Sequence, residues 1–378
     1  MFGMPRFEPQ PDTPDGRASP VYLTVRGRGA AFNPGNRYET TRREVDLGAL
    51  EEINELPGAP VPTTILPDRT RTILNEVDPA TSPDIGFRWT LNPYRGCTHG
   101  CSYCYARPDH ERLGMSSGLD FETKIVAKHD APRLLRRELA SPRWQPDTVV
   151  MAGVTDVYQP IERDLRLTRG CLEVFAECRH PVAIVTKNRL VTRDLDLLAE
   201  LARHNAARVA VSVTTLNNKL AASLEPRASS PGERLAAIGE LTAAGVPVTV
   251  MVAPIIPGLT DHETPAILRA AAEHGATGAA YVLLRLPHQV KEIFLDWLRR
   301  CVPGRAAHVE SLIRQTRGGN LYDPRFGRRQ RGEGAVARQI GATFKLFARR
   351  HGLTCRRSEL NTAAFRRPAA AGQGSLFE

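Results

Sequence analysis

Six short apolar runs, separated by longer amphipathic stretches, constrain this chain more than any other feature. The runs are FRWTLN from Phe87, DTVVMAG (147–153), PVAIVT (181–186), ARVAVSV (207–213), PVTVMVA (247–253) and TGAAYVLL (277–284). Their near-continuous aliphatic and β-branched character is that of strands buried on both faces. Between them lie PRLLRRELA, LTRGCLEVFAECR, TRDLDLLAELARHN, PGERLAAIGELTAAG and HETPAILRAAAEHG, whose apolar residues recur at helical spacing. Gly245 and Gly275 stand where glycines end helices. Parallel strands need such crossovers. The series therefore predicts an α/β chain built as a partial (β/α)6 barrel of the TIM type, with its chemistry at the C-terminal ends of the strands. That core is expected over residues 86–298. An irregular N-terminal arm over 1–85, a basic helical extension over 299–366 and a flexible tail over 367–378 complete the division.

Within NPYRGCTHGCSYCYARP (92–108), three cysteines, Cys97, Cys101 and Cys104, share one Gly-bounded loop just after the first strand. Buried thiols used only for packing are one reading, although such density in a polar loop argues against it. Zinc is a second, and it wants four ligands; His99 lies inside the loop, while the distal cysteines form no second CxxC. The third is a four-iron four-sulfur cluster held by three thiolates, with one iron left for a ligand that is not protein. Cys171 and Cys178, seven apart on one helix face, read as small buried hydrophobes.

Charge is placed unevenly. The chain carries a formal +10, and from Arg299 to Glu378 there are 17 Lys/Arg against 5 Asp/Glu, a net of +12. A basic region on a near-neutral body suits an anionic partner, nucleic acid foremost, or else a solvated surface. The arginines of RGRGAAFNPGNRYE (26–39) suit phosphate contacts or the same solvated role. No apolar run approaches the roughly 20 residues of a membrane helix, and the first residues lack a signal-peptide pattern. The cytoplasm is the expected compartment, and clustered thiols fit its reducing conditions.

Cys97-x-x-x-Cys101-x-Tyr103-Cys104, with an aromatic before the third cysteine, resembles the motif of the radical S-adenosylmethionine superfamily. RGRGAAFNP, SPDIGF, VTDVYQPIERD, IVTKN, SVTTL, EPRASSP and MVAPIIPGLTDHE further resemble blocks of the branch related to spore photoproduct lyase, over residues 26 to about 262. The likeness is closer to that branch's uncharacterised members than to the lyase. It implies a 4Fe-4S cluster on Cys97, Cys101 and Cys104, S-adenosylmethionine bound at the open iron, and its reductive cleavage to a 5′-deoxyadenosyl radical. It implies cofactor contacts as well: Asp156 to the amino group, Lys187 to the carboxylate, Ser212 to the ribose, and Ala253, Pro254, Ile255 and Tyr103 against the adenine. Glu162 and Arg163 bond each other or face substrate. An electron donor such as flavodoxin or ferredoxin is also implied.

The lyase has a hydrogen-returning cysteine after its second barrel strand, where this chain has Gly153-Val154-Thr155-Asp156. A different final hydrogen donor, or none, is then expected, with Tyr105, Tyr158 and Tyr322 as the candidates. The leading expectation is radical chemistry on a nucleic-acid base; the alternatives are a peptide or small metabolite as substrate, or a zinc-stabilised nucleic-acid-binding protein. At the C-terminus, Gln373-Gly374-Ser375-Leu376-Phe377 resembles the peptide by which bacterial repair proteins dock on the sliding clamp, with Gly374 departing from its usual apolar second position.

Overall fold

Ten strands, numbered in chain order, form two sheets among the residues that the computed structural model describes, which are 25, 27–39, 61–78, 80, 82–355 and 359–368. They are β1 (Thr64–Pro67), β2 (Leu74–Glu76), β3 (Trp89–Leu91), β4 (Tyr94–Arg95), β5 (Lys124–Ala127), β6 (Val149–Met151), β7 (Val182–Thr186), β8 (Ala207–Ser212), β9 (Val248–Ile255) and β10 (Gly278–Leu283). The larger sheet has the order β10-β9-β8-β7-β6-β3-β2. Its six parallel strands are those the apolar runs predict, and only β2 runs antiparallel, against β3. A three-stranded sheet, β1-β5-β4, lies apart.

The crossovers are helical, at Ala131–Ala140, Leu167–Cys178, Leu195–Arg203, Pro231–Ala243 and Thr264–Glu273. Pro231–Ala243 starts with a capping box between Ser230 and Glu233, which satisfies two of the orphan N–H groups at a helix start. One apolar cluster joins helices to sheet and holds Val149, Val182, Val209 and Val250 together with Leu198, Leu201, Ile238 and Ile267. Cys171 and Cys178 are buried in it. The sheet stays open, as a partial barrel does. The edge of β10 is covered instead: Ala279 N–H donates to the Thr354 carbonyl at 2.8 Å, and the helix Gly334–Arg350 brings Phe344 to 4.6 Å from Tyr281. The chain then returns beneath the barrel, where Arg366 N–H meets the Cys178 carbonyl at 2.7 Å.

Two boundaries differ from expectation. The arm read as irregular contributes β1 and β2, each too short to show a period in the sequence. The division at 298/299 falls inside the helix Val290–Cys301. Val290, Ile293, Phe294, Trp297 and Leu298 make a continuous buried face there, so the rise in charge at Arg299 is a change of surface, not of packing. Residues 373–377 lie outside the described residues. No helix among those described is long and apolar enough to cross a membrane.

Candidate active site

Gly96 (φ 80°) and Gly100 (φ 66°) take left-handed conformations that fold the cysteine loop back on itself. A Cβ on Gly100 would stand 2.6 Å from Glu122 Oε2. Cys97 and Cys101 are buried and Cys104 is partly so. The loop leaves β3 by way of β4, so the thiols sit at the C-terminal mouth of the sheet, where the alternation of strands and helices puts chemistry.

On one side the loop rests on a buried ion pair. Arg107 pairs with Glu122 and donates to the carbonyls of Cys101 (Nη2, 2.9 Å), Ser117 (3.1 Å) and Gly118 (2.9 Å). The N-terminal arm closes over the same carboxylate: Gly29 and Ala30 N–H groups donate to it at 3.0 and 2.8 Å. A Cβ on Gly29 would lie 1.7 Å from the Gly100 carbonyl oxygen, so only glycine permits that approach. Arg28, read as a phosphate contact or a surface residue, is instead buried and donates to the carbonyls of Glu122 and Val61 at 2.9 and 2.8 Å.

A second buried pair, Glu225 with Arg234, holds the other side. Tyr103 Oη and Thr214 Oγ1 donate to Glu225, and Arg234 donates to the carbonyls of Ser212 (3.2 Å) and Ser229 (2.7 Å). Tyr103 is thereby tied to the end of β8. Glu225 opens the EPRASSP block, but nothing in the sequence shows that its partner is nine residues on, inside a helix.

Asp156 and Lys187 come together at the end of β7. The Asp156 carboxylate accepts from Tyr158 N (2.9 Å), Thr186 Oγ1 (2.8 Å) and Lys187 N (2.8 Å), and lies 3.4 Å from His99 Nδ1. Burial opposes its ionisation, yet His99 and these donors hold its pKa at about 2. Burial likewise works against charge on His99, which Asp156 and the Cys97 sulfur overcome, raising it to about 10. Lys187 places its ammonium 5.9 Å from the centre of the Tyr103 ring. Ser212 and Ala253 to Ile255 lie at the ends of β8 and β9 on the same mouth, with the Ala253 carbonyl accepting from Thr214 Oγ1 at 3.2 Å.

Glu162 bonds groups other than Arg163. Glu162 is buried and bonded to Tyr94, Thr168 N (3.0 Å) and Arg193 (2.7 Å), while Arg163 is exposed. Of the three tyrosines, Tyr158 is buried and donates to Asp194 at 3.0 Å, which removes it from substrate. Tyr322 is half-buried, and Tyr105, next to Cys104, is 46% exposed.

The donor set fits a cationic cluster. Burial pushes the Cys101 thiol well above its usual range, with the Glu225 carboxylate adding to the rise. Burial, then the Cys97 sulfur, push Cys104 up to about 11. Arg107 acts the other way on Cys104 and Lys187 on both, and three adjacent thiolates are better served by the added positive charge of a cluster's irons. Thr98 Oγ1 and Ser102 Oγ, buried inside the loop, have no hydrogen-bond partner and are available to cluster sulfur. Among the described residues no three His, Cys, Asp or Glu side chains converge closely enough for a single ion.

Comparison with known proteins agrees with this chemistry. The profile of the radical SAM superfamily matches residues 91–271. An uncharacterized protein of Mycobacterium tuberculosis (strain ATCC 25618 / H37Rv) is 38% identical over 247 residues, 65% of this chain and 72% of that one. Among solved structures, a mutant of spore photoproduct lyase aligns with a TM-score of 0.55 at 15% identity, over 85% of this chain and 87% of that one. Spore photoproduct lyase complexed with dinucleoside spore photoproduct aligns at 0.53 and 15%, over 77% and 81%. Such identities establish a shared fold.

Proposed function

This chain belongs to the radical SAM superfamily, and from that premise we propose that it is an enzyme acting by radical chemistry on a nucleic-acid base, in repair or in modification. The family's cofactors are a 4Fe-4S cluster and S-adenosylmethionine, which together supply a carbon-centred radical able to take a hydrogen atom from substrate. Cys97, Cys101 and Cys104 hold the cluster as thiolates, and Thr98 and Ser102 donate to its sulfur. Lys187 faces the S-adenosylmethionine carboxylate from the end of β7. Tyr103 and the Ala253–Ile255 backbone wall the adenine and keep water from it, and Ser212 faces the ribose. Asp156 meets the amino group by giving up one donor it now uses, since its two oxygens already take three hydrogen bonds and the contact with His99, which together fill a carboxylate's acceptor sites.

The observation that carries this reading is the meeting of the three thiols with Lys187 and Tyr103 at one mouth. The nucleic-acid part is supported by the fold shared with a lyase complexed with a dinucleoside spore photoproduct and by the excess of arginine after residue 299. Gly153 to Asp156 contain no cysteine, so the reaction differs from the lyase's in how its last hydrogen atom is returned. Electrons come from a flavodoxin or ferredoxin, and Gln373–Phe377 docks on the sliding clamp; absence of saturable clamp binding by a C-terminal peptide would remove the second of these.

The test is anaerobic incubation of the reconstituted protein with dithionite and S-adenosylmethionine, with and without irradiated DNA, following 5′-deoxyadenosine. Product above a Cys101→Ala control, raised by the DNA, is expected. Product that DNA leaves unchanged, but a peptide raises, would replace the nucleic acid with a peptide substrate.

A further inference from the structure

Two residues beyond β10, Arg285 enters no ion pair among the described residues. Its Nε is buried without a hydrogen-bond partner, and its guanidinium covers the Tyr105 ring at 4.7 Å. Beside it lies Arg317, only 1% exposed. Arg317 spends its Nη groups on the carbonyls of Leu284 (2.6 Å) and Arg328, and its Nε, too, is buried and unpartnered. Burial, and then Arg285, hold its pKa down to about 10. The neighbouring carboxylates are already engaged: Asp84 with Arg329, Asp323 with Arg325, and Glu333 with Arg328 at 2.6 Å.

A buried cation is costly unless paired, and buried N–H groups nearly always find an acceptor. Two adjacent guanidiniums, each with an orphaned Nε and no carboxylate of its own, form the protein half of an anion site. Guanidinium suits phosphate and carboxylate alike; the surrounding rings decide between them. Tyr105 directly follows Cys104, and Phe326 lies under Arg329 at 4.7 Å. Both rings are 46% exposed. Flat rings and guanidinium planes at a mouth are what unstacked bases use.

We propose that Arg285, with the buried Arg317 behind it adding positive charge, binds a phosphodiester of the substrate strand at the rim of the barrel mouth, with Tyr105 and Phe326 as platforms for the flanking bases. This rests on the nucleic-acid reading and gives it a location. The anion seated there would take up the unpaired charge of Arg285 and relieve the repulsion between the two arginines, while holding the strand one residue from the cluster cysteine Cys104.

Fluorescence anisotropy of a labelled single-stranded oligodeoxynucleotide on the full-length, cluster-loaded protein tests the site without turnover. Arg285→Gln is expected to weaken binding about tenfold. It should also flatten the dependence of log K on log salt by about 0.7, as for the loss of one contact to single-stranded phosphate. Arg285→Lys, which keeps the charge but not the fork, should fall between. Phe326→Ala, at an exposed position, should weaken binding about fivefold or more. Parent-like cluster absorbance and melting temperature establish that each variant is folded. Tight, salt-dependent binding by the parent that Arg285→Gln leaves unchanged in affinity and slope would overturn the site and leave the nucleic-acid reading standing. Failure of the parent to bind any oligonucleotide, with inorganic phosphate or an acidic peptide bound instead, would overturn both.

Discussion

The strand layer and the cradle beneath the cysteine loop are built from opposite materials. Strands β6 to β10 and their helices meet through a cluster of apolar side chains, Val209, Val250, Leu201 and Ile238 among them. The cradle is ionic: Arg107 with Glu122 below the loop and Glu225 with Arg234 beside it, both pairs all but fully buried. An apolar layer is stable and tolerant, because any well-packed side chain of similar volume serves. A buried pair contributes little net stability, yet it is costly to break from one side. What such pairs supply is position. Their hydrogen bonds run to named carbonyls, Cys101 and Ser212 among them, and so fix where the sulfurs and Tyr103 stand relative to the strands.

If that division is right, breaking each region should give a different failure. The largest effect is expected from Glu225→Ala, which strands the buried Arg234 charge and frees Tyr103. A loss of about 3–5 kcal/mol follows from orphaning a buried pair, to be read by urea denaturation together with loss of iron–sulfur absorbance. Leu201→Ala in the strand layer should cost about 2–5 kcal/mol while leaving the visible spectrum of the folded protein as it was. A Leu201→Ala protein that loses its cluster in proportion to its stability would erase the distinction.

A smaller effect sharpens it from the far end of the barrel. His180 is buried, with Nε2 accepting from Trp144 Nε1 at 3.1 Å and Nδ1 facing the Pro181 carbonyl at 3.1 Å. Burial holds its pKa at about 4, below the unfolded value of about 6.5. The folded state therefore resists protonation that the unfolded state accepts. Stability should be complete above pH 6.5 and decline by about 1.4 kcal/mol per unit as pH falls toward 4. His180→Gln keeps an acceptor for Trp144 and should remove that slope, seen as the difference between the two denaturation series, with the cluster spectrum unaltered at pH 7.5 or so.

The two regions also differ in how far the sequence discloses them. The strand layer is written in local periodicity, and all six barrel strands stand where their apolar runs lie. The three cysteines are equally legible, because their spacing is local. The cradle is not. Glu122 and Glu225 look like surface residues, since charge normally means exposure, and their burial depends on contacts with Gly29 and Tyr103, more than 90 residues away in each case. Arg285 and Arg317 are hidden for the same reason: Arg285 reads as an ordinary residue after a strand and Arg317 as one more member of the basic run after Arg299, and only tertiary packing leaves them without a carboxylate. Asp156 illustrates the middle ground. Its place at a strand end is local and visible, whereas its hydrogen bonds to Thr186 and Lys187 come from the neighbouring strand.

The central claim is that the three thiols hold a cluster with one iron left for a small ligand. Electron paramagnetic resonance of the anaerobically reduced protein, recorded with and without S-adenosylmethionine and accompanied by iron, sulfide and zinc analysis, tests it most directly. About four irons and four sulfides per chain are expected, with a reduced-cluster signal that S-adenosylmethionine shifts and that Cys101→Ala abolishes. Zinc in place of iron, or a cluster signal indifferent to S-adenosylmethionine, would contradict it.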